Sequence, residues 1–178
     1  MKRILFLVFF IFLISCKEDK EPNNKVETRT KITPKQSIFK ISLEGVFSKN
    51  DYILFFYENE EGKGFDKKNK LIKGFKGSPE KQTVTLTLPE DENFYNFSLH
   101  ISDKIGQEIT IDKLTITDNY DTIEIKKDSL FYYIHPNDYI EMHEDGSFNL
   151  ITKEKNGKHS YNPIFKAKKK LKNKLKFI

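Results

Sequence analysis

Apolar and polar residues alternate with a period of two through most of the chain between residues 36 and 165. Segment 39–43 reads Phe-Lys-Ile-Ser-Leu, segment 83–88 reads Thr-Val-Thr-Leu-Thr-Leu, and segment 97–101 reads Phe-Ser-Leu-His-Ile. Successive side chains of a β-strand point to opposite faces, so these segments predict strands with one buried face. Less regular apolar runs predict further strands at 109–116, 123–125, 131–134, 139–142 and 148–151.

Three irregularities in this pattern carry structural information. Gly45 interrupts the first predicted strand, and a glycine inside a strand is typical of a β-bulge. The phase of the apolar positions also shifts near Asp112. The run 52–57 is aromatic and aliphatic throughout, which favours a strand that is buried on both faces.

Turn-forming residues separate these runs, among them Lys49-Asn50-Asp51, Gly77-Ser78-Pro79 and Asp145-Gly146. About eight to ten short strands at this spacing predict an all-β domain over residues 36–165, an antiparallel β-sandwich with a jelly-roll-like arrangement. Other immunoglobulin-like topologies stay open, although the chain has no Trp and therefore lacks the Cys-Trp-Cys marks of antibody domains.

The first sixteen residues follow a different pattern. Lys2 and Arg3 precede the uninterrupted apolar run 4–14, and Ser15 precedes Cys16. A short positive segment, an apolar segment too short to span a bilayer and a small residue are typical of a secretory signal peptide, which we assign to residues 1–15. The alternative is an N-terminal membrane anchor that carries a Cys by chance.

The segment Leu13-Ile14-Ser15-Cys16 resembles the lipobox of bacterial lipoproteins, in which the Cys is acylated and becomes the first residue. Cys16 is the single Cys of the chain, so an intramolecular disulfide is excluded, and its acylation would leave no thiol for catalysis or metal binding. The resemblance implies anchoring to a membrane through lipid at Cys16.

Residues 16–35 are polar, with few apolar positions, and predict a disordered tether. Within them, Lys17-Glu18-Asp19 resembles the surface-export signal of Bacteroidota-type lipoproteins. That resemblance implies a surface-exposed location on the outer membrane. The alternative is an ordinary charged tether.

The basic character of the chain is concentrated at its two ends. The formal charge is +5, of which the signal peptide contributes +2 and residues 166–178 contribute +7, so the remainder carries −4. A nucleic-acid-binding domain would need a basic face, so we expect no nucleic-acid partner.

Residues 166–178 combine seven Lys with Ala167, Leu171, Leu175 and Ile178, whose spacing forms one narrow apolar stripe on a helix. We interpret this segment as a basic tail that either lies on anionic lipid or lipopolysaccharide, or stays disordered.

No catalytic motif is present: the chain lacks a Gly-x-Ser-x-Gly elbow, a phosphate-binding loop and a dinucleotide fingerprint. Glu141 with His143, and Asp118 with Asp121, contain metal-ligand residue types, but both groups fit charged turns better than ligand sets. We therefore expect a protein that is not an enzyme and holds neither a cofactor nor a metal.

The order of segments 50–57, 77–82 and 160–165 resembles a group of uncharacterised extracytoplasmic β-sandwich modules of Bacteroidota, whose architecture is similar to carbohydrate-binding jelly rolls. The resemblance implies a non-catalytic binding module, with glycan as its ligand. Aromatic residues at predicted strand ends would stack on sugar rings, and we select four of them, Tyr57, Tyr95, Tyr132 and Tyr133. The alternative is a structural or assembly lipoprotein that docks on an envelope protein.

The substitution Cys16→Ser tests the lipobox. It removes the acceptor thiol, so we expect loss of acylation and accumulation of the unprocessed precursor. Intact-mass analysis of the membrane fraction measures both effects. A wild-type protein that is mature and free of lipid would contradict the prediction.

Overall fold

A computed structural model describes residues 38–90 and 92–178, apart from the side chain of Lys155. The predicted signal peptide, the predicted lipidation site Cys16 and the predicted tether lie outside the described residues. The described part consists mainly of short strands, joined by turns at the positions that the sequence indicates.

Thirteen strands and two short helices follow one another along the described chain. The strands are β1 Lys40–Phe47, β2 Asp51–Glu58, β3 Lys70–Phe75, β4 Ser78–Thr87, β5 Asn96–His100, β6 Ile109–Thr117, β7 Thr122–Lys126, β8 Ile134–Pro136, β9 Ile140–Met142, β10 Phe148–Leu150, β11 Lys153–Lys155, β12 Lys158–Ser160 and β13 Ile164–Ala167. The helices are α1 Leu130–Tyr133, which follows a 3₁₀ turn at Lys127–Ser129, and α2 Lys169–Leu175.

Two antiparallel sheets form the body of the domain. The four-stranded sheet has the order β4-β1-β6-β7, and the five-stranded sheet has the order β3-β2-β5-β13-β8. The chain passes from one sheet to the other between β1 and β2, and does so again at β3–β4, β4–β5 and β5–β6. Strands β9 with β10 and β11 with β12 form two small hairpins. The predicted all-β, antiparallel sandwich is confirmed.

One hydrophobic core joins the two sheets. Ile41 and Leu114 from the four-stranded sheet, and Phe55, Phe97 and Phe165 from the five-stranded sheet, are fully buried within it. Complete burial of each such side chain stabilises the fold by roughly 1.5–3 kcal/mol. All described residues of this core lie between Phe39 and Leu175, inside the compact unit of residues 35–178. This part of the chain therefore contains what it needs to fold on its own.

The bulge predicted at Gly45 is present between β1 and β6. Glu44 pairs with Lys113 and Gly45 pairs with Ile111, so Asp112 is the extra residue of the bulge. This also explains the phase shift near Asp112. A Cβ atom on Gly45 would lie 1.9 Å from the carbonyl oxygen of Thr110, so the bulge accepts glycine alone.

The structure corrects three sequence-based expectations about single elements. The run 131–134 was expected to be a strand, but residues 130–133 form α1, because a short apolar run fits a helix and a strand equally well. The run 52–57 was expected to be buried on both faces, but only its inner residues are buried, and its outer residues are half-exposed. Strands β3 and β13 and the β11–β12 hairpin were not predicted.

The C-terminal boundary of the domain also differs from the expectation. Residues 166–178 are not a separate tail, because Lys166 and Ala167 belong to β13 and residues 169–175 form α2. The predicted helical stripe exists, but Leu171 and Leu175 are buried in the sandwich core rather than exposed to lipid. An amphipathic helix covers any apolar surface, and here the open end of the sandwich is the nearest one.

Gly45→Ala is expected to destabilise residues 36–178 by about 2–3 kcal/mol, because the added methyl group collides with the backbone of β6. Urea unfolding followed by circular dichroism measures the change. Gly74→Ala is the matched control, since its Cβ would meet only the carbonyl oxygen of Asp51 at 3.9 Å. Equal midpoints for the two variants would contradict the steric argument.

Candidate functional site

The outer face of the four-stranded sheet is hydrophilic. Ser42 lies between Thr85 and Thr115, and its hydroxyl is 2.9 Å from the Thr85 hydroxyl. In the next row, Glu44 pairs with Lys113 at 3.2 Å. Such a face is satisfied by water and by its own hydrogen bonds, so it offers little to a partner.

The outer face of the five-stranded sheet has a different composition. The strand register places four outward residues side by side across this face, in one cross-strand row. They are Ile72 of β3, Leu54 of β2, His100 of β5 and Ile164 of β13. Leu54 and Ile164 are half-buried, while 61 % of Ile72 is exposed. Three aliphatic side chains therefore meet solvent in this row, with His100 between Leu54 and Ile164.

Two aromatic residues of β2 lie on the same face, two positions before and two positions after Leu54. Phe56 lies beside Lys70 of β3 and Ser98 of β5, and Tyr52 lies beside Gly74 of β3. Both rings are half-buried and point away from the core, since their neighbours in β2 point inward. We call the surface formed by Tyr52, Leu54, Phe56, Ile72 and Ile164 the apolar outer face.

The position of β2 explains why this face forms. β2 pairs with β3 on one side and with β5 on the other, so its outward side chains lie in the middle of a sheet face. The side chains of Ile53 and Phe55 point inward and fill the core. Because side chains alternate along a strand, those of Tyr52, Leu54 and Phe56 point outward. In an antiparallel sandwich, outward positions are normally polar, so an apolar outer set calls for a functional explanation.

Lysines flank the apolar outer face. Lys70 and Lys166 lie in the same cross-strand row as Phe56, at opposite sides of it, and both side chains are exposed. Neither forms an ion pair with any residue that the structure describes. The surface thus has an apolar centre and a positively charged rim.

A hydrogen-bonded loop fixes the Tyr52 end of this face. The buried carboxylate of Asp51 accepts hydrogen bonds from the Ser102 hydroxyl at 2.7 Å and from the backbone N–H groups of Asp103 and Lys104, each at 3.2 Å. A shallow depression of about 560 Å³ lies beside it, lined by residues that include Tyr52 and Lys104. Burial, helped by the charge of Asp103, raises the pKa of the Tyr52 hydroxyl.

His100 is the polar member of the apolar row. Its Nε2 atom is buried and has no hydrogen-bond partner among the described residues. This nitrogen lies in the row between Leu54 and Ile164. A buried polar atom without a hydrogen-bond partner is rare in proteins.

Four tyrosines were predicted to bind ligand, and for Tyr57 this prediction is wrong. Its side chain is 3 % exposed and belongs to the core, where its ring lies 6.4 Å from that of Phe55. Burial raises the pKa of its hydroxyl. It faces inward because it shares the phase of Ile53 and Phe55, so it cannot stack on a sugar.

Tyr132 and Tyr133 lie together on α1, with ring centroids 5.0 Å apart in an edge-to-face arrangement. The Lys170 ammonium lies 3.4 Å from the centroid of the Tyr132 ring, and that of Lys174 lies 5.8 Å from the centroid of the Tyr133 ring. These cation–π contacts already use ring faces that a sugar would need.

Tyr95 lines a separate cavity of about 330 Å³ between β2, β5 and α2, with Lys172 and Lys176 opposite it. At its base, the buried Glu58 carboxylate accepts hydrogen bonds from the Asn96 side chain at 3.0 Å and from the backbone N–H of Gly62. The structure thus brings Tyr95, Tyr132 and Tyr133 around α2, and separates Tyr57 from them.

The carboxylate of Glu58 is held ionised. Burial acts to raise its pKa, but hydrogen bonds from Asn96, Gly64 and Gly62 and the charge of Lys172 together lower it below its usual range. Glu58 therefore stabilises the fold while it is charged. Its hydrogen bond from Gly62 links the end of β2 to the loop that follows.

The two groups with metal-ligand residue types lie in the loop between β6 and β7, for Asp118 with Asp121, and at the end of β9, for Glu141 with His143. Asp118 accepts hydrogen bonds from the backbone N–H groups of Tyr120 and Asp121 at 2.7 and 2.6 Å, and Asp145 accepts one from Ser147 at 2.9 Å. Within residues 38–90 and 92–178, no three His, Cys, Asp or Glu side chains are grouped so that they could hold a metal ion.

Comparison with protein-family models, curated proteins and solved structures finds no match to this chain. Among the described residues, no helix is both long and apolar enough to cross a membrane. The candidate site therefore rests on its own geometry.

Sequence reasoning missed the apolar outer face. The signal was available: a continuous apolar run, 52–57, within an antiparallel sandwich implies an outward apolar set unless a further layer covers it. Ile72 and Ile164 could be added only once the strand pairing was known.

The substitution Glu58→Gln tests the buried carboxylate. Because its pKa is lower in the folded chain, its stabilisation is complete above the unfolded pKa, about 4.3, and is lost as the pH falls through the folded value. We expect Gln to lower the free energy of unfolding by about 1–3 kcal/mol at pH 7, and by less at pH 3.

Urea unfolding of residues 36–178 at both pH values measures this difference. Glu60→Gln is the control, since its ion pair with Lys63 is exposed and is worth little. A Glu58→Gln effect that does not depend on pH would contradict the assignment.

Proposed function

We propose that this chain is a lipid-anchored, non-catalytic binding module of the bacterial cell envelope, and that its apolar outer face docks a protein partner. The observation that carries the proposal is the contrast between the two outer faces of the sandwich. One consists of Ser, Thr and paired charges, and the other of the apolar outer face with its lysine rim.

The composition of the apolar outer face favours a protein over a glycan. Leu54, Ile72 and Ile164 offer apolar area but no ring face on which a sugar could stack. A contiguous apolar patch with a charged rim is typical of protein interfaces, in which the centre supplies most of the binding energy. Phe56 lies nearest the charged rim, and is the best placed aromatic anchor.

Charge defines the partner further. Lys70 and Lys166 have no described ion-pair partners and lie on either side of Phe56. A protein surface with an apolar ridge between carboxylate side chains would match both the apolar centre and the positive rim. We therefore propose an envelope protein of that chemistry as the occupant.

Location follows from the N-terminal sequence. The lipobox-like Leu13-Ile14-Ser15-Cys16 and the export-like Lys17-Glu18-Asp19 support a lipoprotein that is anchored in the outer membrane and exposed at the cell surface. The resemblance to extracytoplasmic β-sandwich modules of Bacteroidota supports the same compartment.

Glycan binding is the second candidate. It is favoured by Tyr52 and Phe56, two aromatic side chains on the same side of one strand. Their rings would have to act together with the shallow depression beside Tyr52.

Site-specific photo-crosslinking in cells separates the two candidates. A photoreactive residue at Ile72 is expected to give a discrete protein adduct, because this side chain is the most exposed member of the apolar outer face. The same residue at Thr85, on the outer face of the other sheet, is the matched control and should give none.

Phe56→Lys should abolish the Ile72 adduct and leave folding intact, as it replaces an outward side chain. Equal adducts from Ile72 and Thr85, or an adduct that survives Phe56→Lys, would contradict the proposal. Binding of a polysaccharide that is lost in Tyr52→Ala and Phe56→Ala would establish the glycan alternative instead.

A further inference from the structure

The polar side of α2 carries exposed lysines. Leu171 and Leu175 point into the core, so Lys169, Lys170 and Lys174 project outward and are exposed. Phe177, just after the helix, is 81 % exposed, more than any other large apolar side chain that the structure describes. We call the surface formed by Lys169, Lys170, Lys174 and Phe177 the α2 surface.

The three lysines of the α2 surface lack acidic partners. Of the seven lysines in residues 166–178, only Lys176 forms an ion pair with a described residue, Glu61. Lys168 donates instead to the carbonyl oxygen of Phe131. The contacts of Lys170 and Lys174 with Tyr132 and Tyr133 place both ammonium groups on one side of α2 without neutralising them.

A short series of contacts links the start of the described chain to the α2 segment. The ring of Phe39, at the start of the described chain, packs against Phe94 with centroids 5.4 Å apart. The next residue, Tyr95, lines the cavity that Lys172 and Lys176 of the α2 segment close. The predicted tether, residues 16–35, is long enough to let this surface reach a membrane that holds a lipid at Cys16.

We propose that the α2 surface docks on the anionic outer leaflet of the outer membrane, through the phosphate groups of its lipopolysaccharide. Lys169, Lys170 and Lys174 would contact headgroup phosphates, and Phe177 would enter the interfacial region beside them. The orientation of the domain rests on the lipid anchor of the proposed function, but the lysine surface itself does not. The formal net charge of residues 16–165 is −4. Repulsion between this part of the chain and the anionic membrane would favour an orientation in which the α2 surface faces the membrane.

This mode differs from that of an amphipathic helix lying in the membrane, because the apolar stripe of α2 is occupied by the core. Binding should depend mainly on charge and fall steeply with salt. Each lysine near an anionic surface strengthens binding roughly fivefold, so three lysines together contribute on the order of a hundredfold.

The test uses residues 36–178, which contain the complete described core and lack Cys16. Sedimentation with phosphatidylcholine vesicles, with and without lipopolysaccharide, measures binding at low salt. We expect binding only to the anionic vesicles. The triple variant K169Q/K170Q/K174Q should reduce it on the order of a hundredfold, and Phe177→Ala should reduce it severalfold without changing its salt dependence.

The matched control is K67Q/K73Q/K158Q, which removes the same charge from exposed lysines outside the α2 surface. It should bind nearly as well as the unmodified chain. Equal losses in the two triple variants would reduce the effect to net charge and overturn the proposal, as would binding to pure phosphatidylcholine or no binding at low salt. Competition by millimolar inorganic phosphate would show a phosphate-ion site instead of a bilayer surface.

Urea unfolding of each variant confirms that the exposed substitutions leave the fold intact. The assay involves neither lipidation nor the apolar outer face, so its failure would leave the proposed function standing, and failure of the crosslinking experiment would leave the α2 surface standing.

Discussion

The packing of Phe55 between the two sheets is the interaction on which the rest of the structure depends. Its ring lies 5.5 Å from that of Phe97 and 5.9 Å from that of Phe94, and Phe94 in turn contacts Phe39, the residue that precedes β1 of the opposite sheet. Because side chains alternate along a strand, burying Phe55 decides that Leu54 and Phe56 face outward. The alternation of side chains along β2 therefore determines both which residues enter the core and which form the candidate binding face.

The same logic holds at α2. Leu171 and Leu175 complete the core, and their burial directs the lysines of the helix to solvent. The two proposed surfaces, one apolar and one basic, lie on different elements and would serve different occupants. A module held at a membrane by one surface could present the other to a partner protein.

Sequence patterns predicted the class of fold because alternation and turns are local properties, and they located the Gly45 bulge because a glycine and a phase shift both marked it. They failed where tertiary context decides. Tyr57 resembled a strand-end aromatic until the phase of β2 placed it in the core, and the stripe of 166–178 fitted lipid as well as a protein core. The rows of the apolar outer face depend on pairing between distant strands, which no local pattern encodes.

The burial of α2 has a consequence for the order of synthesis. Leu171 and Leu175 are core residues that are translated after every strand of both sheets. Two-sheet pairing also brings together segments far apart in the chain, such as β13 and β5. The sandwich therefore lacks a closed core until Leu175 has been added, and a nascent chain stays incompletely packed through most of its translation. If the chain is exported as proposed, such a delay would keep it unfolded enough to pass through a translocation channel.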